Sequence, residues 1–294
     1  MPQPHERERD STATLAKVLG VAVVLAALGY FTWARFQAGV RPKNRAEELL
    51  NQGVTACEQG EYDEGLDLLE QAAEVARRGR QGVEDKARLS LLTGLEADAW
   101  MLIGGFRLQR VQDEHRQERA EAVRKGEAYR IPAEGLAPAQ EALENAIELK
   151  PSARAYYHLG FIYREKGQAL QAIETLEEAI RREEGYPQDR VSNELRARMH
   201  NDLGEAYAHA RQPAQARKHF ENAVMLDRDL ASAQYNLGLA YHAMSERPDG
   251  DRFRNRAARH LRRYLELTED RKGRAPEREV ARDLLKDLPA PAEP

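Results

Sequence analysis

The sequence predicts an all-α fold, a solenoid of helical hairpins, on three observations. The phrase Tyr156-Tyr157-His158-Leu159-Gly160-Phe161-Ile162-Tyr163 returns as His200-Asn201-Asp202-Leu203-Gly204-Glu205-Ala206-Tyr207 and again as Tyr235-Asn236-Leu237-Gly238-Leu239-Ala240-Tyr241. Gly204 and Gly238 are 34 residues apart, a spacing that marks a stacked supersecondary unit. The agreement also continues beyond the phrase. Twelve residues after Gly160 comes Ala172, followed by Leu176 and Ala179, and twelve after Gly204 comes Ala216, followed by Phe220 and Ala223. Each unit therefore reads as two helices. In each, a glycine marks the crossing, with Ala172 or Ala216 facing it, and a tyrosine (Tyr163, Tyr207, Tyr241) is placed to wedge between successive units at helical spacing.

From the N-terminus, residues 1–14 form a polar tail of mixed charge. Val18 to Ala34 then runs for seventeen residues without a charge, between Lys17 and Arg35. A helix of that length reaches about 25 Å, the short end of what crosses a bilayer, and Tyr30 and Trp33 suit one interface. Residues 15–36 are therefore expected to be a single transmembrane anchor, making the membrane itself a partner. A cleaved signal peptide is the competing reading. Against it stand the long, charge-mixed start and the lack of a good small-x-small site other than Thr32-Trp33-Ala34. Basic residues fall evenly on the two sides of the span and do not orient it. A short tail ahead of a single span favours an inner-membrane protein whose repeats lie on the periplasmic side.

After a linker at 37–45, the solenoid is expected over 46–275 with about five repeats. The first runs through Leu49, Gly53, Gly60, Tyr62, Leu69 and Ala72, with Gln52 and Gly65 departing from the pattern. The second opens with a helix from Leu89 to Val111, where Trp100-Met101-Leu102-Ile103-Gly104 matches the phrase. Its partner helix opens at Pro138 and ends at Pro151. Between these helices lies an insertion, 107–135. Ten of the nineteen residues from Arg107 to Lys125 are charged, with pairs such as Glu121 and Lys125 at i, i+4. It reads as a solvated helical extension followed by a flexible loop from Gly126 to Gly135, or as an arm that binds a partner. In the fifth repeat seven residues, Ser245 to Asp251, are inserted before a helix with Leu261, Tyr264 and Leu267. Residues 276–288 suit a closing helix, since an end repeat must cover an apolar face. Residues 289–294 form a tail.

The repeated phrases, with the matched positions of the second helices, closely resemble the tetratricopeptide repeat family over roughly Leu49 to Asp270. The resemblance implies a right-handed superhelical solenoid of helix-turn-helix repeats that holds a protein or peptide partner in its concave groove. In the glycine register that groove carries Arg154, Tyr157, His158 and Phe161. The next repeat adds Arg198, Asn201, Asp202 and Glu205, and the last adds Ser232, Tyr235, Asn236 and Leu239. Chaperone-binding members clamp a terminal carboxylate with lysines and asparagines. Here Asn236 alone matches, and Leu50 and Val54 stand where Lys and Asn belong. Aromatic and apolar anchors point instead to an apolar helix or extended peptide.

The formal net charge is −4, and no basic run lies beside stacking aromatics, which argues against nucleic acid. The single cysteine, Cys57, excludes an internal disulfide and a multi-cysteine zinc site, and reads as a buried thiol. No phosphate loop, zinc-protease motif or nucleophile elbow occurs, so neither an enzyme, nor a cofactor, nor a metal is expected. By layout the chain is similar to anchored scaffolds of cell-envelope assembly and cytochrome maturation. A cytoplasm-facing regulator or cochaperone adaptor using the same groove is the alternative.

Overall fold

A computed structural model describes residues 42–125, 129–187, 190–246, 250–269 and 275–288. The expected anchor at 15–36 lies outside the described residues, as do the terminal tails. Among the described residues no helix is long and apolar enough to cross a membrane.

The described chain is helical, without strands. Helix α1 covers 42–58, and α2 Tyr62–Arg80 follows it. A long α3, Lys86–Glu114, is separated from α5, Ala133–Leu149, by a short α4, Arg116–Arg124. Then come α6 Ala153–Glu165, α7 Ala169–Gly185, α8 Asn193–His209, α9 Pro213–Leu226, α10 Ala231–Ser245, α11 Asp251–Leu267 and α12 Ala275–Lys286. The starts of α3, α6 and α8 carry side-chain caps that satisfy otherwise orphaned N–H groups. Asp85 accepts from the Ala87 amide at 2.9 Å, Ser152 from Ala155 at 3.3 Å and Ser192 from Leu195 at 3.2 Å.

One contact recurs through the stack. A β-carbon at Gly53, Gly104, Gly160, Gly204 or Gly238 would stand within 2.8 Å of a side chain on the paired helix: Leu69, Leu143, Leu176, Phe220 and Leu261 in turn. The side chain opposite Gly160 and Gly204 is thus Leu176 and Phe220. Ala172 is fully buried nearby, and Ala216 contributes its carbonyl oxygen, 3.1 Å from that point at Gly204. From glycine to partner the chain advances sixteen residues in three hairpins, 39 in α3/α5 and 23 in α10/α11. Sixteen is the bare hairpin, so the seven extra residues in α10/α11 are those read between Ser245 and Asp251. Tyr163 packs into the clusters on both sides of α6, and Tyr207 likewise bridges two clusters, while Tyr241 is buried. At the end, Ala281 of α12 and Leu288 just after it join the cluster of Leu261 and Tyr264.

Two expectations are corrected. Helix α5 starts at Ala133, so Pro138 lies inside it rather than opening it, and its carbonyl accepts from Arg107 at 3.1 Å. The insertion is not simply a solvated extension with a free loop. Leu108 and Ile131 are buried with Leu136, Leu159 and Ile162, and Val111 and Tyr129 pack against them. The Tyr129 hydroxyl donates to Glu118 at 2.5 Å, and Arg110 pairs with Asp63 on α2 at 2.6 Å. The i, i+4 pair Glu121–Lys125 forms at 2.7 Å.

The glycine contact yields a test. Gly204→Ala drives a β-carbon to 2.5 Å from the Phe220 ring, which cannot retract, and should cost about 1–3 kcal/mol in urea unfolding. Gly185→Ala meets nothing within 4 Å and should change stability by no more than about 1 kcal/mol, in the favourable direction.

Candidate partner-binding groove

The first helices of the last three hairpins, α6, α8 and α10, present one face to a cavity of about 1300 Å³. Residues 212–217 and Phe220 close one side of it. The other side is made by Gln112 and Asp113 of α3 and Arg116 and Arg119 of α4, and Glu277 of α12 also reaches the cavity. Helix α4 lies against α12 as well as α3. The charged insertion and the concave face therefore line one cavity.

Six of the nine anchors expected in the groove line this cavity: Phe161, Asn201, Glu205, Tyr235, Asn236 and Leu239. Three do not. Arg154 and Arg198 are exposed away from it, Arg198 pairing with Glu194 at 2.6 Å on its own helix. Tyr157 is corrected most sharply: it is buried between α6 and α8, and its hydroxyl donates to Asp202 Oδ2 at 3.0 Å. Burial, then the Asp202 carboxylate, holds its phenol well above the usual tyrosine range. His158 likewise turns towards α3, its Nε2 3.6 Å from where a β-carbon on Gly105 would stand.

The floor is a buried polar cluster centred on Arg164, which the sequence did not single out. Its Nη1 donates to Asp202 Oδ1 at 2.7 Å and pairs with Glu205 Oε2 at 2.8 Å, while Nη2 meets Glu165 Oε1 at 3.1 Å. The guanidinium lies 4.3 Å from the Phe161 ring centroid, within cation–π range. Asn236 Nδ2 donates to Glu205 Oε1 at 2.8 Å and to Asn201 Oδ1 at 3.0 Å, and Asn201 Nδ2 donates to Glu205 Oε1 at 3.0 Å. Arg119 of α4 reaches across to Glu165.

Burial alone would lower the Arg164 pKa, but Glu205, Asp202 and Glu165 outweigh it and raise it. For Asp202 burial wins over Arg164, and its carboxyl is pushed up. A buried charge is tolerated only when its partners saturate it. Here three carboxylates share one guanidinium, and two asparagine amides take up the remaining lone pairs. The period that selected Phe161 continues to Arg164 three residues on, so its position was readable. Its partners, 38 and 41 residues away, were not.

With the floor satisfied internally, the surface left to a ligand is largely apolar: Phe161, Tyr235, Leu239, Ala240, Ala243 and Met244. Arginines stand at its margins, among them Arg211, whose φ is +59°. The equivalent turn residues in two other hairpins are Gly60 and Gly167, also at positive φ. A non-glycine residue there costs roughly 1–2 kcal/mol, a strain often retained where a side chain is used. Among the described residues no cluster of three or more His, Cys, Asp or Glu could hold a metal ion. Cys57 is buried, which pushes its thiol up.

The tetratricopeptide repeat profile matches residues 153–186, the hairpin of α6 and α7. Comparison with curated proteins gives no match. Among solved structures, residues 41 to the end of MamA from Desulfovibrio magneticus RS-1 share 18% identity over 78% of this chain and 97% of that one, with a TM-score of 0.47. A second MamA structure shares 17% over 76% and 92%, with a TM-score of 0.46. YrrB, described as a TPR protein with an unusual peptide-binding site, shares 14% over 80% and 90%, with a TM-score of 0.43. Residues 153–186 thus match a tetratricopeptide repeat within an all-helical stack of hairpins.

Two tests follow from the floor. Arg164→Leu leaves Asp202 and Glu205 without their cation and should cost about 3–5 kcal/mol by urea unfolding, whereas Phe161→Leu should cost far less. The histidines set an acid limit. Burial, first of all, holds His158, His200 and His260 down to about 4, from 6.5. Each binds its proton more readily in the unfolded chain. Their contribution is therefore complete above pH 6.5 and is lost as pH falls towards about 4. Asp202 acts in the opposite sense, so wild type should be compared with the His158→Gln, His200→Gln, His260→Gln variant. The difference in melting temperature between pH 7 and pH 4.5 should be larger for wild type.

Proposed function

We propose that this chain is a membrane-anchored tetratricopeptide-repeat scaffold that holds a protein or peptide partner in its groove. Its setting would be cell-envelope assembly or maturation, with the repeats on the periplasmic side of the inner membrane. The observation that carries the binding reading is the groove: an internally saturated floor beneath an apolar contact surface large enough for a peptide segment. Such a surface takes an apolar helix or extended segment through a few large anchors. A terminal carboxylate is a poor fit, because Asn236 is already committed to Glu205 and Asn201, and Glu205 would repel it. The uncharged stretch from Val18 to Ala34 supports the anchor.

A photoreactive residue at Leu239, compared with one at Leu170 on the far edge of the stack, tests the groove in membranes. One discrete partner should cross-link from 239 and not from 170. Phe161→Ala with Leu239→Ala should then weaken that partner's binding by about ten- to a hundredfold, without loss of helicity. Equal cross-linking from both positions would refute the groove. A reporter fused after Pro294 reads the side of the membrane, and cytoplasmic activity would favour the adaptor reading.

A further inference from the structure

The hairpins alternate direction, so first-helix starts and second-helix ends share one edge of the stack. Contacts across this edge bear that out. A β-carbon at Gly79, near the end of α2, would lie 2.9 Å from Pro42 at the start of α1 and 3.5 Å from Leu92 on α3. Arg182 of α7 donates to the Pro151 carbonyl before α6 at 3.1 Å, Arg196 of α8 pairs with Glu183 of α7 at 3.1 Å, and Arg263 of α11 meets Asp229 before α10 at 2.5 Å.

Three features of this edge point the same way. Six large hydrophobic side chains are exposed among the described residues, and four of them stand here: Leu89, Leu91, Tyr186 and Met225, the last 77% exposed. Scattered exposed hydrophobics are ordinary; their concentration on one edge is not. At the corner formed by α2 and α3 the edge also carries more basic than acidic residues. Arg77, Arg78 and Arg80 end α2, and Lys86 and Arg88 open α3. Arg77 and Arg78 pair with Glu74 and Arg80 with Glu96, while Asp85 caps α3, Glu183 pairs with Arg196, Asp229 with Arg263 and Glu194 with Arg198. Lys86 and Arg88 form no ion pair among the described residues, and Arg88 Nε is buried without a hydrogen-bond partner. Finally, Pro42, Arg45, Arg78 and Arg88 border a cavity of about 850 Å³. Only five residues separate Pro42 from the expected span, a reach of at most about 18 Å.

We propose that this edge docks on an anionic phospholipid surface, the bilayer that holds the anchor. Lys86 and Arg88 would meet headgroup phosphates, and Leu91, Tyr186 and Met225 would enter the interface. This rests on the anchor reading. An aromatic and apolar fringe set among arginines matches the layered polarity of that interface. It would hold the concave groove at a fixed angle to the membrane.

The test uses the full chain reconstituted into vesicles of phosphatidylcholine, alone or mixed with phosphatidylglycerol. An environment-sensitive fluorophore is attached at Leu91→Cys, Met225→Cys or, on the opposite edge, Leu170→Cys. The unsubstituted chain, whose Cys57 is buried, serves as the labelling control. Probes at 91 and 225 should shift to the blue and resist an aqueous quencher in the anionic vesicles, while the probe at 170 should not. Lys86→Gln and Arg88→Gln should each lower the docked-to-undocked ratio about fivefold, and high salt should act likewise. If the chain floats with vesicles but all three probes stay equally quenched, the edge inference is overturned and the anchor stands. If the chain does not float, both fall. Protection at 225 that grows with protein concentration in lipid-free detergent would make this edge an interface between copies and overturn membrane docking.

Discussion

The structure depends on how closely the two helices of each hairpin can approach. At Gly53, Gly104, Gly160, Gly204 and Gly238 a leucine or phenylalanine from the partner occupies the volume where a side chain would be. This contact fixes the pairing, and the pairing fixes which helix faces the concave side. Once the crossing is set, the first helices must line the groove and their starts must share an edge. The groove and the basic, apolar edge are both consequences of one steric constraint repeated five times.

Inside that frame the chain spends stability on a buried charge cluster. Arg164 with Glu165, Asp202 and Glu205 is a costly way to fill a floor, since apolar residues of similar volume are often as stable or more so. What the cluster supplies is position. Asp202 holds the Tyr157 hydroxyl between α6 and α8, Glu205 gathers Asn201 and Asn236 from α8 and α10, and Glu165 receives Arg119 from α4. Three repeats and the insertion are thereby tied at one place. A groove that must keep a fixed curvature for a partner gains from such a tie, whereas a merely stable stack does not need it.

Much of this was legible in the sequence because its signals are local and periodic. The glycines announce the crossings, the seven-residue excess after Gly238 is visible as a break in spacing, and the helical period placed six of the nine groove anchors. The failures have physical causes. Tyr157 and Phe161 sit near one face of α6, but Tyr157 turns inward among Leu176, Met199 and Leu203 and onto Asp202, 45 residues away. Arg164 was passed over because its meaning lies in carboxylates on the next repeat. The insertion looked solvated because its charges dominate the composition, while a few side chains, Leu108, Val111, Tyr129 and Ile131, determine where it lies. Pro138 misled because proline usually opens a helix, and here the helix had begun five residues before it.

The insertion changes what kind of groove this is. A bare stack of hairpins leaves its concave face open along its length. Here α3 continues to Glu114, and α4 crosses to touch both Glu165 on α6, through Arg119, and the closing helix α12. Gln112, Asp113, Arg116 and Arg119 thereby become a wall opposite α10, so a ligand is met from two sides. A segment lying on Phe161, Tyr235 and Leu239 would have its far face against charged side chains. An amphipathic helix satisfies that geometry, with its apolar stripe on the first-helix face and its polar stripe towards α4. A segment apolar all round does not, because it would strip water from Asp113 and Arg116 without replacing their hydrogen bonds. On the proposed binding reading, the insertion would select among the segments that the groove face alone would accept.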